Sequence, residues 1–374
     1  MKKCFVGDIP VWLGAQLTPN IEKSSFGFEV GAHGLIRMSN DRIAARMVEA
    51  YSSDEYHFIT SPPGASEWGN KLAQKSIDGL LRTYGNLNGK HILEIGAGTL
   101  FTAETLIDSY GAASVTIVDP ALHDRPSSSR ITVIRKYFNS NIKFDRSFDL
   151  IISFNTLEHV PDPICFLASI AEHMSDEMAL YLKLPDCGES LHNGDLGLCV
   201  HEHLSYFTST TLDACLKANG LERVANSNYQ GALQVLAKKV SQSSSPACLL
   251  GETYLINFQL NYLRHISRLQ RFFDSDVYDK IGFVGCSVGL CNILNLLDDP
   301  NVDKIKLFDN DNLKVGKYIP GINTPIQTPT QDALNECKAI FLTPMNFFEE
   351  IKAGLHASFD LGPEKLMPVF PKPN

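Results

Sequence analysis

His91-Ile-Leu-Glu-Ile-Gly-Ala-Gly-Thr99 is the stretch on which the reading of this 374-residue chain turns. A short apolar run that ends in glycines reads as a buried strand, after which the backbone must turn tightly at Gly96 and Gly98 and can approach a ligand closely. A helical pattern begins directly afterwards at Phe101, so its free N–H groups face the crevice at the strand's carboxyl end. The next strand-like run, SVTIVD, ends in Asp119, about twenty residues on, where a carboxylate that grips a ribose diol is expected.

Two cofactor classes share this geometry. A dinucleotide fold prefers G-x-G-x-x-G, whereas Phe101 holds the third glycine's place and Glu94 stands just ahead of the turn. Both features favour S-adenosylmethionine, with Glu94, Gly96, Ala97, Gly98, Asp119 and Pro120 as its contacts. A glycine turn of purely structural purpose is the plain alternative.

Working outward, the runs ITVI, FDLIISF and MALYLKL alternate with helical patterns over Phe101–Tyr110 and Ile164–His173. This alternation describes a parallel sheet with helices on both faces. A helix over Ser209–Asn219 precedes LERVANSNY and ALQVLAKKV, an antiparallel pair joined at Gln230-Gly231 that closes a sheet edge. Ahead of the core strand, Ser61-Pro-Pro-Gly64 breaks the chain, and Glu67–Leu81 has helical spacing. Residues 1 to about 60 read as irregular and too small to bury a core alone. Ser241–Pro246 (SQSSSP) reads as a linker. Beyond it, a long helix over Tyr254–Phe272 and the runs KIGFVGCS, KIKLFDND and AIFLTP form a second αβ unit with its own turn, Gly282–Gly289.

Composition narrows the classes. The apolar share is 44%, the charged share 20% and the mean hydropathy −0.06, which excludes disordered and fibrous chains. No apolar run suffices to span a bilayer or to make a secretory signal, so a cytoplasmic protein without membrane partners is expected. Nine dispersed cysteines read as reduced thiols. A net charge of −9 argues against nucleic acid and for a small metabolite, although a local basic patch can sit inside a negative total.

Two further stretches carry chemistry. FDLIISFNTLEHVPDP ends a strand at the crevice, which places Asn155 and His159 near the cofactor. His159 reads as a proton carrier or a donor to substrate, or else as a surface histidine. His201-Glu202-His203 precedes a helix, and an H-x-H pair makes only half of a closed zinc site, so no metal is expected there. A general base oriented by Glu202 is the better reading, with a helix-capping role as the alternative.

These stretches resemble the S-adenosylmethionine-dependent methyltransferases that C-methylate nucleotide-linked ketosugars. The matching residues are ILEIGAG, the N-x-L-x-H-V-P-D run Asn155–Asp162, H-E-H-L-S-Y-F from His201, Gln230-Gly-Ala-Leu233, Phe308-Asp-Asn-Asp-Asn312 and Lys314-Val-Gly-Lys-Tyr-Ile-Pro-Gly321. The resemblance covers almost the whole chain. It implies an α/β fold with three parts: a small N-terminal zinc-type module (1–60), a class I methyltransferase domain (61–240), and a C-terminal Rossmann-like domain (247–374) that holds the nucleotide sugar. It implies that His203, with His159 and Glu202, removes the proton beside a sugar ketone. The enolate then attacks the sulfonium methyl, and Tyr56, Phe58, His201, Tyr206, Lys317 and Tyr318 line the substrate.

The chain departs from that family in three places. Cys4 stands alone where two C-x-x-C pairs are usual, with Gly7, Val30 and His33 at the other positions, so zinc is expected to be absent. Val200 replaces the tyrosine of Y-H-E-H, and Phe58 replaces a tyrosine in the aromatic string before the first methyltransferase helix. Two lost phenols imply a changed acceptor or acceptor atom. O- or N-methylation, a nicotinamide oxidoreductase using Gly282–Gly289, and a silent binding protein are the alternatives.

Overall fold

β1 (His91–Ile95) lies in a seven-stranded sheet, and its alternating side chains show why. Ile92 faces one apolar cluster with Ile77, Leu80, Val115, Leu150 and Ile152. Leu93 and Ile95 face another with Ile151, Leu167, Ile170, Leu180 and Leu212. A strand with both faces covered is mostly apolar, and here Ile92, Leu93 and Ile95 fill that role while Glu94 is the buried exception. The computed structural model describes residues 2–11, 15–51, 62–229, 231–240 and 250–372.

The other strands are β2 (Ser114–Val118), β3 (Ile131–Ile134), β4 (Leu150–Phe154), β5 (Ala179–Pro185), β6 (Leu221–Tyr229) and β7 (Ala232–Lys239). Their spatial order is β3-β2-β1-β4-β5-β7-β6. β1 to β5 run parallel, whereas β7 pairs antiparallel with both β5 and β6. The expected antiparallel edge is present, and the order reverses beside β1, which opens the crevice where ligands of such sheets bind. The helices are α1 (Glu67–Tyr84), α2 (Phe101–Asp108), α3 (Pro163–His173) and α4 (Ser209–Ala218). Ser66 caps α1 by accepting from Gly69 N, and Asp162 caps α3 by accepting from Ile164 N and Cys165 N. This architecture is the class I methyltransferase fold.

The chain forms two compact units. A central unit comprises Val30–Cys187 and Glu202–Gly251; a terminal unit comprises Met1–Glu29, Gly188–His201 and Glu252–Asn374. This division does not follow the three consecutive segments expected from sequence, because residues 1–29 and 188–201 group with the C-terminal part. The long helix α5 (Leu250–Asp274) shows how. Within the terminal unit, Phe258 packs edge-on against Phe28, and the Tyr262 hydroxyl donates to Phe5 O. His265 Nε2 lies 2.7 Å from Asn193 O.

The terminal unit has its own parallel sheet of β8 (Ile281–Val284), β9 (Ile305–Phe308), β10 (Ile326–Gln327), β11 (Ala339–Leu342) and β12 (Leu366–Pro368), in the order β10-β9-β8-β11-β12. This is a second Rossmann-like sheet, with α6 (Val288–Asn295) after its glycine turn.

The described part of residues 1 to 60 is not irregular as expected. Lys3–Pro10 and Lys23–Val30 form an antiparallel hairpin, and Asp41–Tyr51 is a helix. Gly7 and Pro10 look like breakers in sequence, but Gly7 sits at a register shift with φ 147° while Cys4, Val6 and Ile9 are buried. Cys4, the one cysteine at an expected zinc position, has its thiol pushed up to about 11 by burial. The SQSSSP linker lies outside the described residues.

Candidate active site

The turn after β1 is built from backbone constraints. Gly96 and Gly98 have φ of 74° and 67°, a region that costs any residue with a Cβ. A Cβ at Gly96 would also collide with the Thr156 side chain. The Thr156 hydroxyl lies 3.1 Å from the Gly96 carbonyl, and Ser153 Oγ donates to Ile95 O at 2.9 Å, so the end of β4 holds the end of β1.

Asp119 closes the other side. Its Oδ2 accepts from Gly98 N at 2.8 Å and its Oδ1 from Ala121 N at 2.7 Å. The residue is buried, yet a carboxylate has about four acceptor sites and these two bonds leave half of them. Glu94 is also buried, with Oε2 lacking a hydrogen-bond partner among the described residues. Burial first, and the charge of Asp119 second, push its carboxyl up to about 8.

Those features suit S-adenosylmethionine. Two glycines leave the backbone bare beside α2, Asp119 keeps free lone pairs for a diol, and the unsatisfied oxygen of Glu94 would be relieved by a bound cation or donor. Ala97 lies in the same turn, between the two glycines, and Pro120 directly follows Asp119. Asn155 stands exposed past β4 with φ 49°, its Oδ1 2.6 Å from Lys183 Nζ on β5.

The histidine cluster forms a second focus of the central unit. Leu204 N and Ser205 N donate to Glu158 O, and the short strand Ser205–Tyr206 pairs antiparallel with Ile36–Met38. These bonds bring the dipeptides Glu158-His159 and Glu202-His203 together. The two imidazole rings lie 4.9 Å apart at 73°. His159 Nδ1 is 3.0 Å from Glu202 O and 3.9 Å from Glu202 Oε1, while its Nε2 is 3.8 Å from Glu158 Oε1. Burial, then the neighbouring His159, pushes the His203 imidazole down to about 3, so His203 is neutral at physiological pH. The Tyr206 hydroxyl donates to His203 O at 2.9 Å.

The expected residues thus divide. Glu94, Gly96, Gly98 and Asp119 meet at one crevice, and His159, Glu202, His203 and Tyr206 gather in one cluster. His201 belongs to the terminal unit, where its ring packs edge-on against Phe26. Lys317 and Tyr318 are also there, with Tyr318 bridged to Gln16 by two backbone hydrogen bonds. Tyr56 and Phe58 lie outside the described residues. Glu158 joins the cluster as well, and the repeated dipeptide Glu158-His159 and Glu202-His203 is its signal in the sequence. Sequence reading passed over Lys183, which only the register of β5 against β4 brings to Asn155.

Gly282–Gly289 uses the same device as the first turn. Gly285 has φ 87°, and Cys286 N donates to Asp309 Oδ2 at 2.9 Å. Here, however, Lys314 Nζ sits 2.9 Å from that same oxygen and occupies the carboxylate.

A family model described as a methyltransferase domain matches residues 68–226, less than half of the chain. No curated protein sequence matches it. Among solved structures, the chain is similar to the N-methyltransferase NodS of Bradyrhizobium japonicum in complex with S-adenosylhomocysteine: 14% identity, 53% of this chain and 99% of that one, TM-score 0.37. It is also similar to the 1,6-didemethyltoxoflavin N1-methyltransferase of Burkholderia thailandensis: 16% identity, 58% of this chain and 96% of that one, TM-score 0.39. The sheet order, the glycine turn with Asp119 and the matching family model agree: residues 68–226 match the methyltransferase-domain model and take the class I methyltransferase fold.

Proposed function

We propose that the protein uses S-adenosylmethionine to C-methylate a nucleotide-activated sugar, or a related polar metabolite, beside a ketone. The observation that carries the cofactor half is the joined glycine turn and Asp119 within the matched domain. Glu94, Gly96, Ala97, Gly98, Asp119, Pro120 and Asn155 would hold the cofactor, which supplies an electrophilic methyl group on a positive sulfur.

The protein's own work is then positioning and proton transfer. His203 is neutral, so one of its ring nitrogens can take the proton from carbon. Its ring abuts His159, which has Glu158 and Glu202 on either side, so positive charge that reaches this pair is met by two carboxylates. His201, Tyr206, Lys317 and Tyr318, with Tyr56 and Phe58, are the proposed substrate contacts.

No described helix is long and apolar enough to cross a membrane. The setting proposed is cytoplasmic, where the eight described cysteines stay free thiols.

The test is incubation with methyl-labelled S-adenosylmethionine and a panel of nucleotide-linked ketosugars, read by carbon-proton correlation spectra. A new methyl on carbon supports the reading. A methyl on oxygen or nitrogen would move the function to the corresponding transferase class, and no transfer to any of these acceptors would count against the substrate assignment.

A further inference from the structure

A ring nitrogen of His159, a ring nitrogen of His203 and a carboxylate oxygen of Glu158 lie within 4.8 Å of one another. Ligands around one tetrahedral Zn²⁺, each about 2.0–2.2 Å from the metal, stand roughly 3.4 Å apart.

Two independent features point to a ligand. The Glu158 side chain is only 3% exposed, and its Oε2 has no hydrogen-bond partner among the described residues. A buried carboxylate oxygen in that state is costly, and a cation would satisfy it. Second, His159 Nδ1 lies 3.0 Å from the Glu202 carbonyl oxygen, which can only accept, so Nδ1 carries the hydrogen. The lone pair is then on Nε2, on the side of Glu158 Oε1 at 3.8 Å. A backbone carbonyl that fixes the far nitrogen of a ligating imidazole is the usual support of a metal-bound histidine.

The surrounding charge agrees. Glu202 adds a second carboxylate beside His159, and Lys183 stands near Glu158.

We propose that Glu158, His159 and His203 bind one divalent transition-metal ion of the zinc class. Three protein ligands leave a coordination position open for water or for an oxygen of the acceptor. The site stands on these residues alone and does not depend on the methyl-transfer reading. A ring nitrogen on a metal cannot take a proton, so a loaded site and a histidine base exclude each other, and Zn²⁺ inhibits turnover wherever His203 is the base.

The full chain, stripped with chelator, is titrated with Co²⁺. One equivalent should produce the visible absorption of a low-coordinate histidine-carboxylate site, and Zn²⁺ should abolish it. In ¹⁵N-labelled protein, Zn²⁺ should shift the ring resonances of His159 and His203. His159→Ala and His203→Ala should each weaken Co²⁺ binding at least tenfold. Absence of the band, or ring resonances of both histidines that stay in place while metal binds, would overturn the site. The ring resonances are read in the unmutated chain, so a variant that fails to fold leaves the outcome decided. Calorimetry with S-adenosylmethionine on the stripped sample keeps a failure of the cofactor reading separate.

Discussion

The N–H of Gly98 donates to Asp119 Oδ2 at 2.8 Å, and this bond ties the turn after β1 to the end of β2. The equivalent bond in the terminal unit, Cys286 N to Asp309, is capped by the Lys314 ammonium. A carboxylate already paired with an internal cation is a poor grip for a ribose, so the proposed function places its nucleotide-like cofactor at Asp119 and not at Asp309. That contrast weighs against a nicotinamide oxidoreductase built on Gly282–Gly289.

Asp119→Asn should weaken S-adenosylmethionine while the fold persists. The amide oxygen can still accept one backbone N–H, but the charge-assisted bond to the diol goes, and hydrogen bonds to charged groups are worth about 1.5–3 kcal/mol. Affinity measured by calorimetry should fall roughly tenfold or more. Equal affinity would remove Asp119 from the cofactor site.

Gly96→Ala faces both a φ of 74° and the Thr156 side chain. Stability should drop by about 1–3 kcal/mol, visible as a lower unfolding midpoint, together with weaker cofactor binding. Adding Thr156→Ala should recover the steric share and leave the backbone share. Full recovery would mean that the positive φ is not a constraint.

Glu94 gives a pH dependence. Its carboxyl stands near 8 in the folded chain against an ordinary value of 4.5, chiefly through burial. The folded state therefore holds this proton more tightly than the unfolded state. Its contribution to stability is complete below about 4.5 and is lost as pH rises through about 8. Glu94→Gln cannot ionise, so its melting temperature should fall less than that of the wild type between about pH 6 and about pH 9. Parallel curves would show that Glu94 is already ionised in the folded protein.

His203→Asn should cut turnover about a hundredfold or more and leave cofactor affinity nearly unchanged, because His203 belongs to the cluster with His159 and not to the glycine turn. Unaltered turnover on an accepted substrate would exclude His203 as base.

In the terminal unit, buried Asn292 Nδ2 donates to Leu196 O and Cys199 O, both at 2.9 Å. Asn292→Ala leaves two carbonyls without these partners, each costing about 1–3 kcal/mol if water cannot enter. A clear drop in the denaturation midpoint is expected, and a neutral result would show that the 188–201 segment is held by other contacts.

The central sheet was legible because its strands are short apolar runs that end sharply in a glycine or a carboxylate, as at Ile95-Gly96 and Val118-Asp119. Its antiparallel edge was legible from the Gln230-Gly231 turn. The N-terminal hairpin was not, since Gly7 and Pro10 break the local pattern and the burial of Cys4, Val6 and Ile9 depends on residues far along the chain. The grouping of residues 188–201 with the C-terminal part was hidden for the same reason: Asn292 and His265 declare their partners only once folded. At the histidine cluster, His159, Glu202 and His203 stood out by chemistry. Glu158 was marked only by the Glu-His dipeptide it shares with Glu202-His203, and its burial beside His159 follows from the Leu204 and Ser205 hydrogen bonds to its carbonyl.

Calorimetric titration of the purified chain with S-adenosylmethionine tests the central claim most directly. The account predicts saturable binding at one site per chain, weakened by Asp119→Asn and retained in His203→Asn. Absence of binding heat at several temperatures, with no change in the unfolding midpoint at saturating cofactor, would contradict it.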